Sequence, residues 1–348
     1  MRSEIDSIQR ATWNNEYMDI KTFIGQKCII GFQGKNAKTL EKLYAVYPFG
    51  GVILFERNYE SKKQLKELIK EIKNLTQDVP LFISVDQEGG TVQRFKKDFT
   101  AIASPKTIGE IYTKEGKKTA QKIFETLAEE LIEVGINLNF APLYDINTNP
   151  ENPIIGKRGR AFSHDPFIVA DVGNLEAEIF LKKNLIACAK HFPGHGDTHK
   201  DSHVTLPEVT QTLPELRERE LIPFSEAIKN NIPMIMTAHV LYSTIDKHYP
   251  ATVSEVIIKN ILRKELKFKG VVITDALEMK GISEGYSSEK IVERGLAADT
   301  DIFLFGETKD SYQRTFEKLM QIYEQDQKLK RAIENSVMRI LRLKEDYL

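Results

Sequence analysis

Cysteine is scarce in this chain: two residues in 348, Cys28 and Cys188, each inside its own apolar run. Two distant thiols cannot build a disulfide framework, so both are expected to be buried and free. Long hydrophobic runs are also missing, and none approaches the roughly 18–20 apolar residues that a membrane helix needs. The stretch Met1–Ile20 is polar and charged, without the apolar core of a secretory leader. The expectation is a chain that begins near Met1 and stays in the cytoplasm. Excess charge is absent as well: 49 basic against 50 acidic residues give a net charge of −1. That balance argues against a protein that works by neutralising nucleic-acid phosphates. There is no low-complexity linker to mark a second domain, and no Gly-x-Ser-x-Gly elbow of the kind that carries a nucleophilic serine.

What the chain does contain is a repeated alternation. Short apolar runs bounded by turn residues predict strands at Cys28–Gly31, Gly51–Phe55, Leu81–Asp86, Asn137–Pro142, Ile186–His191, Met234–His239, Gly270–Asp275 and Ile302–Phe305. Most are apolar throughout, as expected where both faces of a parallel sheet are covered. Amphipathic stretches between them predict helices at Ala37–Tyr47, Ser61–Leu75, Lys117–Val134, Pro166–Lys182, Leu213–Lys229, Ser254–Leu266, Ser288–Ala298 and Lys309–Lys344. Gly135 falls where a helix C-cap belongs. Eight strand–helix repeats are the pattern of an α/β fold, a (β/α)₈ TIM barrel in a single domain spanning 1–348. A doubly wound open sheet is the rival, because alternation alone does not show closure. The segment 309–348 is expected to pack on the barrel as a C-terminal helical piece.

In a barrel, reactive groups gather at the C-terminal ends of the strands. Asp86, Asp145, Lys190, His191, His239 and Asp275 all stand at or just beyond such ends. A single carboxylate there is commonly a cap or turn residue. A capping role, however, gives no reason for lysine and histidine. Asp275, in a rim furnished with Lys190, His191 and Arg94, can stay ionised and attack an electrophilic carbon. Glu278 sits where a helix N-terminal turn is expected. In Asp86-Gln87-Glu88-Gly89-Gly90, leading to Arg94, the glycine pair allows a tight turn, and Asp86 with Arg94 suits the vicinal hydroxyls of a sugar.

The richest segment runs from Lys190 to His203 and holds four of the seven histidines, His191, His195, His199 and His203, at intervals of four. On a helix that spacing would suggest a metal site. Pro193, Gly194 and Gly196 work against a continuous helix, so a long, mobile βα loop is expected, with no metal and no cofactor. If Asp201-Ser202-His203 is extended, Asp201 and His203 project to one side and Ser202 to the other. Asp201 can then orient the imidazole of His203 for proton transfer.

These motifs resemble the β-N-acetylhexosaminidases of glycoside hydrolase family 3. The resemblance rests on Lys190-His191-Phe192-Pro193-Gly194-His195-Gly196-Asp197-Thr198 followed by Asp201-Ser202-His203, on Ser84-Val85-Asp86-Gln87-Glu88-Gly89-Gly90 through Phe95, and on Val271–Met279. Met236–Val240 and Phe140–Asp145 fit too, so that it runs from about residue 25 to 305. It implies removal of terminal β-linked N-acetylglucosamine with retention, through a covalent glycosyl-enzyme. Asp275 matches the nucleophile, His203 the acid/base, and Asp201 its orienting partner. Asp86, Arg94, Lys190 and His191 match sugar-binding residues. Arg160 joins them when the alignment is made on Phe162-Ser163, whereas counting from Gly156 favours Arg158. Thr91 stands where many relatives carry arginine. The His–Asp dyad replaces the second carboxylate of the usual retaining scheme.

The resemblance further implies a carbohydrate partner, a cell-wall muropeptide or chitobiose-like compound, with no nucleic acid, no membrane and a monomeric chain. A β-glucosidase or a phosphorylase of the same family is the near alternative. A metal-dependent hydrolase using the loop histidines and a sugar-binding protein without turnover are the distant ones.

Overall fold

The computed structural model describes residues 18–308 and 310–348. Residues 1–17, which carry most of the Met1–Ile20 reading, lie outside that range, as does Lys309 at the start of the last predicted helix.

Eight parallel strands form the centre: β1 (Cys28–Gly31), β2 (Gly51–Leu54), β3 (Phe82–Val85), β4 (Leu138–Asn139), β5 (Ile186–Phe192), β6 (Met234–Thr237), β7 (Val271–Thr274) and β8 (Phe303–Phe305). Each pairs with its neighbour in chain order, and β1 pairs with β8. A parallel bridge between Ile273 and Ile302 joins β7 to β8. The Thr274 N–H donates to the Ile302 carbonyl at 3.0 Å, and the Ile302 N–H donates to Val272 at 3.0 Å. The sheet therefore closes, and the open-sheet alternative is excluded.

Alternate strand residues point inward to an apolar plug that includes Ile29, Phe82, Cys188, Met234 and Ile273. The other set packs outward against the helices. Both cysteines are buried and unpaired. The surrounding helices are α1 (Lys38–Val46), α2 (Lys62–Lys73), α3 (Lys117–Val134), α4 (Pro166–Lys182), α5 (Leu221–Lys229), α6 (Glu255–Glu265), α7 (Ser288–Ala298), α8 (Asp310–Gln325) and α9 (Gln327–Tyr347). Ser61 caps α2 through the Gln64 N–H, and the helix buries Leu65, Leu68, Ile69 and Ile72, one apolar stripe. Gly135 ends α3 at φ 98°, a left-handed conformation that glycine reaches without penalty.

Several predicted elements are shorter or divided. The run Asn137–Pro142 keeps only Leu138–Asn139 as strand, since Pro142 has no N–H to donate to a ladder. The predicted helix Leu213–Lys229 breaks at Arg219, giving Leu213–Glu218 and α5. Pro223 accounts for the break, because its ring clashes with the carbonyl four residues earlier. The last helical stretch divides at Asp326, whose carboxylate accepts from the Lys328 and Leu329 N–H groups as the N-cap of α9. A helix at Pro105–Glu115, capped by Ser104, was not foreseen.

Helix α9 lies across the N-terminal end of the barrel. Its Ile340 and Leu343 join the interior plug. Lys344 is fully buried beneath it and donates to the Gln26 side chain and the Gly50 carbonyl, each at 2.7 Å. Among the described residues no helix is long and apolar enough to cross a membrane.

Candidate active site

The opposite end of the barrel collects the charged groups. β3 delivers Asp86 one residue past its last strand position, and β5 carries Lys190 and His191 within it. Lys190 Nζ lies 2.7 Å from Asp86 Oδ1 and 2.7 Å from Glu88 Oε1, with only 2% of its side chain exposed. Arg160 grips Glu88 with Nε and Nη2, both at 2.8 Å, a paired fork-to-carboxylate contact. Arg94 Nη2 reaches Asp86 Oδ2 at 3.3 Å. Five side chains thus form one alternating network, Arg94, Asp86, Lys190, Glu88 and Arg160, buried at Lys190, Glu88 and Arg160 and partly open at Arg94 and Asp86.

Burial alone would raise the two acids, but their cations outweigh it. Arg160 and Lys190 hold Glu88 down at about 2, and Lys190 and Arg94 hold Asp86 well below the usual carboxylate range. Burial opposes the charge on Lys190, and Asp86 and Glu88 overcome it, so its ammonium is held above the ordinary lysine range.

Glu88 reaches this network because the chain turns back after Asp86. Gln87–Gly89 and Val92–Gln93 form a small hairpin with Gly89 at φ 96° and Gly90 at φ 57°. A Cβ at Gly89 would lie 2.3 Å from the Ala103 carbonyl oxygen, so glycine is required there on two counts. Thr91, the departure noted in the sequence, is exposed in this turn.

The segment after β5 is held from below by the loop after β4. Asp145 accepts from His191 Nδ1 at 2.6 Å through Oδ2 and from the His195 N–H at 2.6 Å through Oδ1. Asn152 Nδ2 donates to the carbonyls of His195 (2.8 Å) and Gly196 (3.0 Å) and to Thr198 Oγ1 (3.0 Å). A Cβ at Gly196 would sit 1.7 Å from the Ile146 carbonyl oxygen, so this crossing admits only glycine. Burial, then the neighbouring His191, pushes His195 down to about 4, which keeps it neutral near pH 7.

Asp201 and His203 do meet, with His203 Nδ1 2.9 Å from Asp201 Oδ1. The extended conformation expected for them is corrected by the structure. Asp201–Thr205 is a turn, with the Val204 and Thr205 N–H groups donating to the Asp201 carbonyl at 3.0 Å. Asp201 Oδ1 also accepts from the His203 N–H at 2.8 Å. A short polar side chain that bonds the backbone two residues on favours this turn over a strand. Ser202 still faces away from the pair, into the protein. Its Oγ lies 3.0 Å from His195 Nε2, and its carbonyl accepts from the Gly281 N–H at 3.0 Å.

Asp275 follows β7 directly and is part-buried, its Oδ1 accepting from the Ala276 N–H at 2.7 Å. Burial would raise its pKa, but the imidazoles of His191 and His239, the Ala276 N–H and Lys190 together hold it below the usual carboxylate range. His239 is anchored beside it through Thr252 Oγ1 at 2.6 Å and the Ala276 carbonyl at 3.0 Å. Glu278 does not open a helix as expected. It accepts from the Gly306 N–H at 2.8 Å and ties the loop after β7 to the loop after β8.

The eight residues that the family resemblance puts in the site lie at this end of the barrel, in two groups. Asp275, Asp86, Arg94, Arg160, Lys190 and His191 line the floor, and Asp201 with His203 stands on the loop above. Arg160 is buried in the network, whereas Arg158 is exposed at the surface. Sequence reasoning gave no role to Glu88, Asn152 or Ser202. Only the Asp-x-Glu spacing before two glycines could have pointed to the first. The rings of the four loop histidines share no hydrogen-bond partner: His191 meets Asp145, His195 meets Ser202 and Thr198, His199 meets Asn149, and His203 meets Asp201. Among the described residues no three His, Cys, Asp or Glu side chains converge on a point that could hold a metal ion.

Comparison with known proteins agrees with this architecture. The chain is 38% identical over 282 residues to the β-hexosaminidase A of Pseudoalteromonas piscicida, covering 76% of this chain and 47% of that protein. It is 41% identical over 236 residues to a β-hexosaminidase of Neisseria meningitidis serogroup C, covering 67% and 64%. The chain thus spans between about half and two thirds of the length of these relatives. Its backbone superposes on a glycoside hydrolase family 3 β-N-acetylglucosaminidase from a Paenibacillus species with a TM-score of 0.90 at 35% identity, covering 95% of this chain and 63% of the other. The profile of the glycosyl hydrolase family 3 N-terminal domain matches residues 19–343. The closed barrel is thus that of glycosyl hydrolase family 3, and this chain belongs to that family.

Proposed function

We propose that this protein is a retaining exo-β-N-acetylglucosaminidase that removes terminal β-linked N-acetylglucosamine from cell-wall muropeptide fragments. The observation that carries the reading is the juxtaposition at the rim. An ionised Asp275 ends β7, and the Asp201–His203 pair rests, through Ser202 and Gly281, on the turn that follows it. The names of the relatives, β-hexosaminidase and β-N-acetylglucosaminidase, support the substrate class.

In this mechanism Asp275 attacks the anomeric carbon from the face opposite the leaving group. Protonated His203 gives its proton to the departing glycosidic oxygen as that bond breaks. The imidazole, now neutral, takes a proton from water as the water attacks the same carbon and releases Asp275. Two inversions give net retention. Asp201, 2.9 Å from His203 Nδ1, fixes the tautomer and the orientation of the ring. Asp86, Arg94, Lys190, His191 and Arg160 bind and orient the sugar, Arg160 acting from the base of the network through Glu88.

The chemistry calls for no metal or cofactor. We read the barrel and its C-terminal helices α8 and α9 as one catalytic unit that acts as a monomer in the cytoplasm.

The test is turnover of chromogenic β-N-acetylglucosaminides. Asp275→Ala should lower kcat/KM by roughly 10⁴-fold or more, as loss of a covalent nucleophile requires. His203→Ala should lower it by about 10²-fold for a poor leaving group and far less for 2,4-dinitrophenol, which departs without a proton. Undiminished turnover by Asp275→Ala overturns the reading.

A further inference from the structure

The hydrogen bonds around Ser202 do more than fill a turn. His195 is 1% exposed and Ser202 1% exposed, so their 3.0 Å contact is shielded from water. The His195 N–H is fixed by Asp145, its carbonyl by Asn152, and its Nδ1 by Thr198 at 3.0 Å. The ring therefore has little freedom to move. On the other side of Ser202, its carbonyl takes the Gly281 N–H from the turn that follows Asp275. A Cβ at Gly281 would lie 2.7 Å from that carbonyl oxygen, which shows how closely the two segments approach. Asp201 and His203, the residues on either side, are by contrast largely held by each other, and the His203 side chain is 56% exposed.

We infer that Ser202 is a positioning residue: with His195 behind it and Gly281 beside it, it pins the Asp201–His203 turn over Asp275. The inference rests on the reading of Asp201 and His203 as the acid/base pair. Physically, a solvent-exposed turn with one side-chain contact samples many orientations, whereas a general acid must hold within a fraction of an ångström of its target. The shielded serine contact supplies the missing restraint on one side of the turn, and the Gly281 N–H supplies it on the other. It also explains why a hydroxyl stands between the two members of the dyad, at a position that points away from the substrate. The path is continuous from His191 through Asp145 and His195 to Ser202. The floor that binds the sugar and the loop that protonates the leaving group thus share one frame.

The experiment compares kcat/KM for two N-acetyl-β-glucosaminides, one with an alkyl or sugar aglycone and one with 2,4-dinitrophenol. Wild type, Ser202→Ala, His203→Ala and the double variant are measured, and thermal unfolding of each verifies folding. Ser202→Ala should lower kcat/KM about tenfold or more for the poor leaving group and less than about twofold for the good one. In the His203→Ala background the serine change should add nothing, because there is no acid left to position. Equal losses on both substrates, or a full additional loss in the double variant, would show a merely structural role and overturn the inference. Should His203→Ala itself lose nothing selectively on the poor leaving group, the acid/base reading fails and this inference with it. A selective loss in His203→Ala without one in Ser202→Ala overturns the inference alone. If Ser202→Ala does not fold, Ser202→Cys, which keeps the size and a weaker donor, gives the same comparison with a smaller selective loss.

Discussion

Asp86, Glu88, Lys190 and Arg160 show what burial demands of charge. Each would be costly alone in the barrel mouth, and each is stable there because its neighbour carries the opposite sign. His195 shows the other solution: it is kept neutral, held at about 4 against an ordinary 6.5. The sign of its contribution follows from linkage. Between these two values the unfolded chain binds a proton that the folded protein refuses, so stability rises with pH. The contribution is complete above about pH 6.5 and is lost as pH falls toward 4. A shift of this size corresponds to on the order of 3 kcal/mol. Replacing His195 with Gln should flatten the acid limb of stability between pH 6.5 and 4, measured as the urea midpoint at each pH. An unchanged slope would mean that His195 is not held neutral.

At the scale of the element, most of what matters was legible in the sequence. Eight apolar runs became eight strands because a parallel strand covered on both faces leaves little room for polar residues. The helix after β2 and the cap at Gly135 followed from periodicity and one glycine. The breaks were harder to see. Pro223 divides a predicted helix, and the Asp201 side chain turns a predicted extended stretch into a turn, both local effects that outcompete pattern. The crossing at Gly196 was unreadable, because the need for glycine comes from the Ile146 carbonyl, 50 residues earlier in the chain. Gly196→Ala should therefore displace the loop, lowering the melting temperature by several degrees and turnover by more than tenfold, since a carbonyl at 1.7 Å cannot be accommodated without backbone movement. Wild-type turnover by this variant would show that the crossing has slack.

The whole molecule divides its labour between the two ends of one barrel. Helix α9 seals the lower end with Ile340, Leu343 and the buried Lys344. That leaves the upper end free to carry charge that contributes nothing to the apolar plug. The separation explains why Asp86, Lys190, His191 and Asp275 could be picked out from strand ends, whereas Arg94, Arg160, Asp201 and His203 were legible only from loop motifs and the family resemblance. Their partners were harder to find: Glu88 had only the Asp-x-Glu spacing to mark it, and Asn152 and Ser202 are defined by contacts between loops. Closure of the sheet was equally beyond the pattern, being a matter of Ile273 meeting Ile302.

The central claim is that Asp275 forms the covalent bond to the sugar. It is tested most directly by trapping the protein with a fluorinated N-acetylglucosaminyl fluoride, which slows release of the intermediate, and mapping the adduct by peptide mass spectrometry. The account predicts one sugar per chain, on the peptide that contains Asp275. An adduct on any other residue, or turnover of the reagent with no adduct at any time, would contradict it.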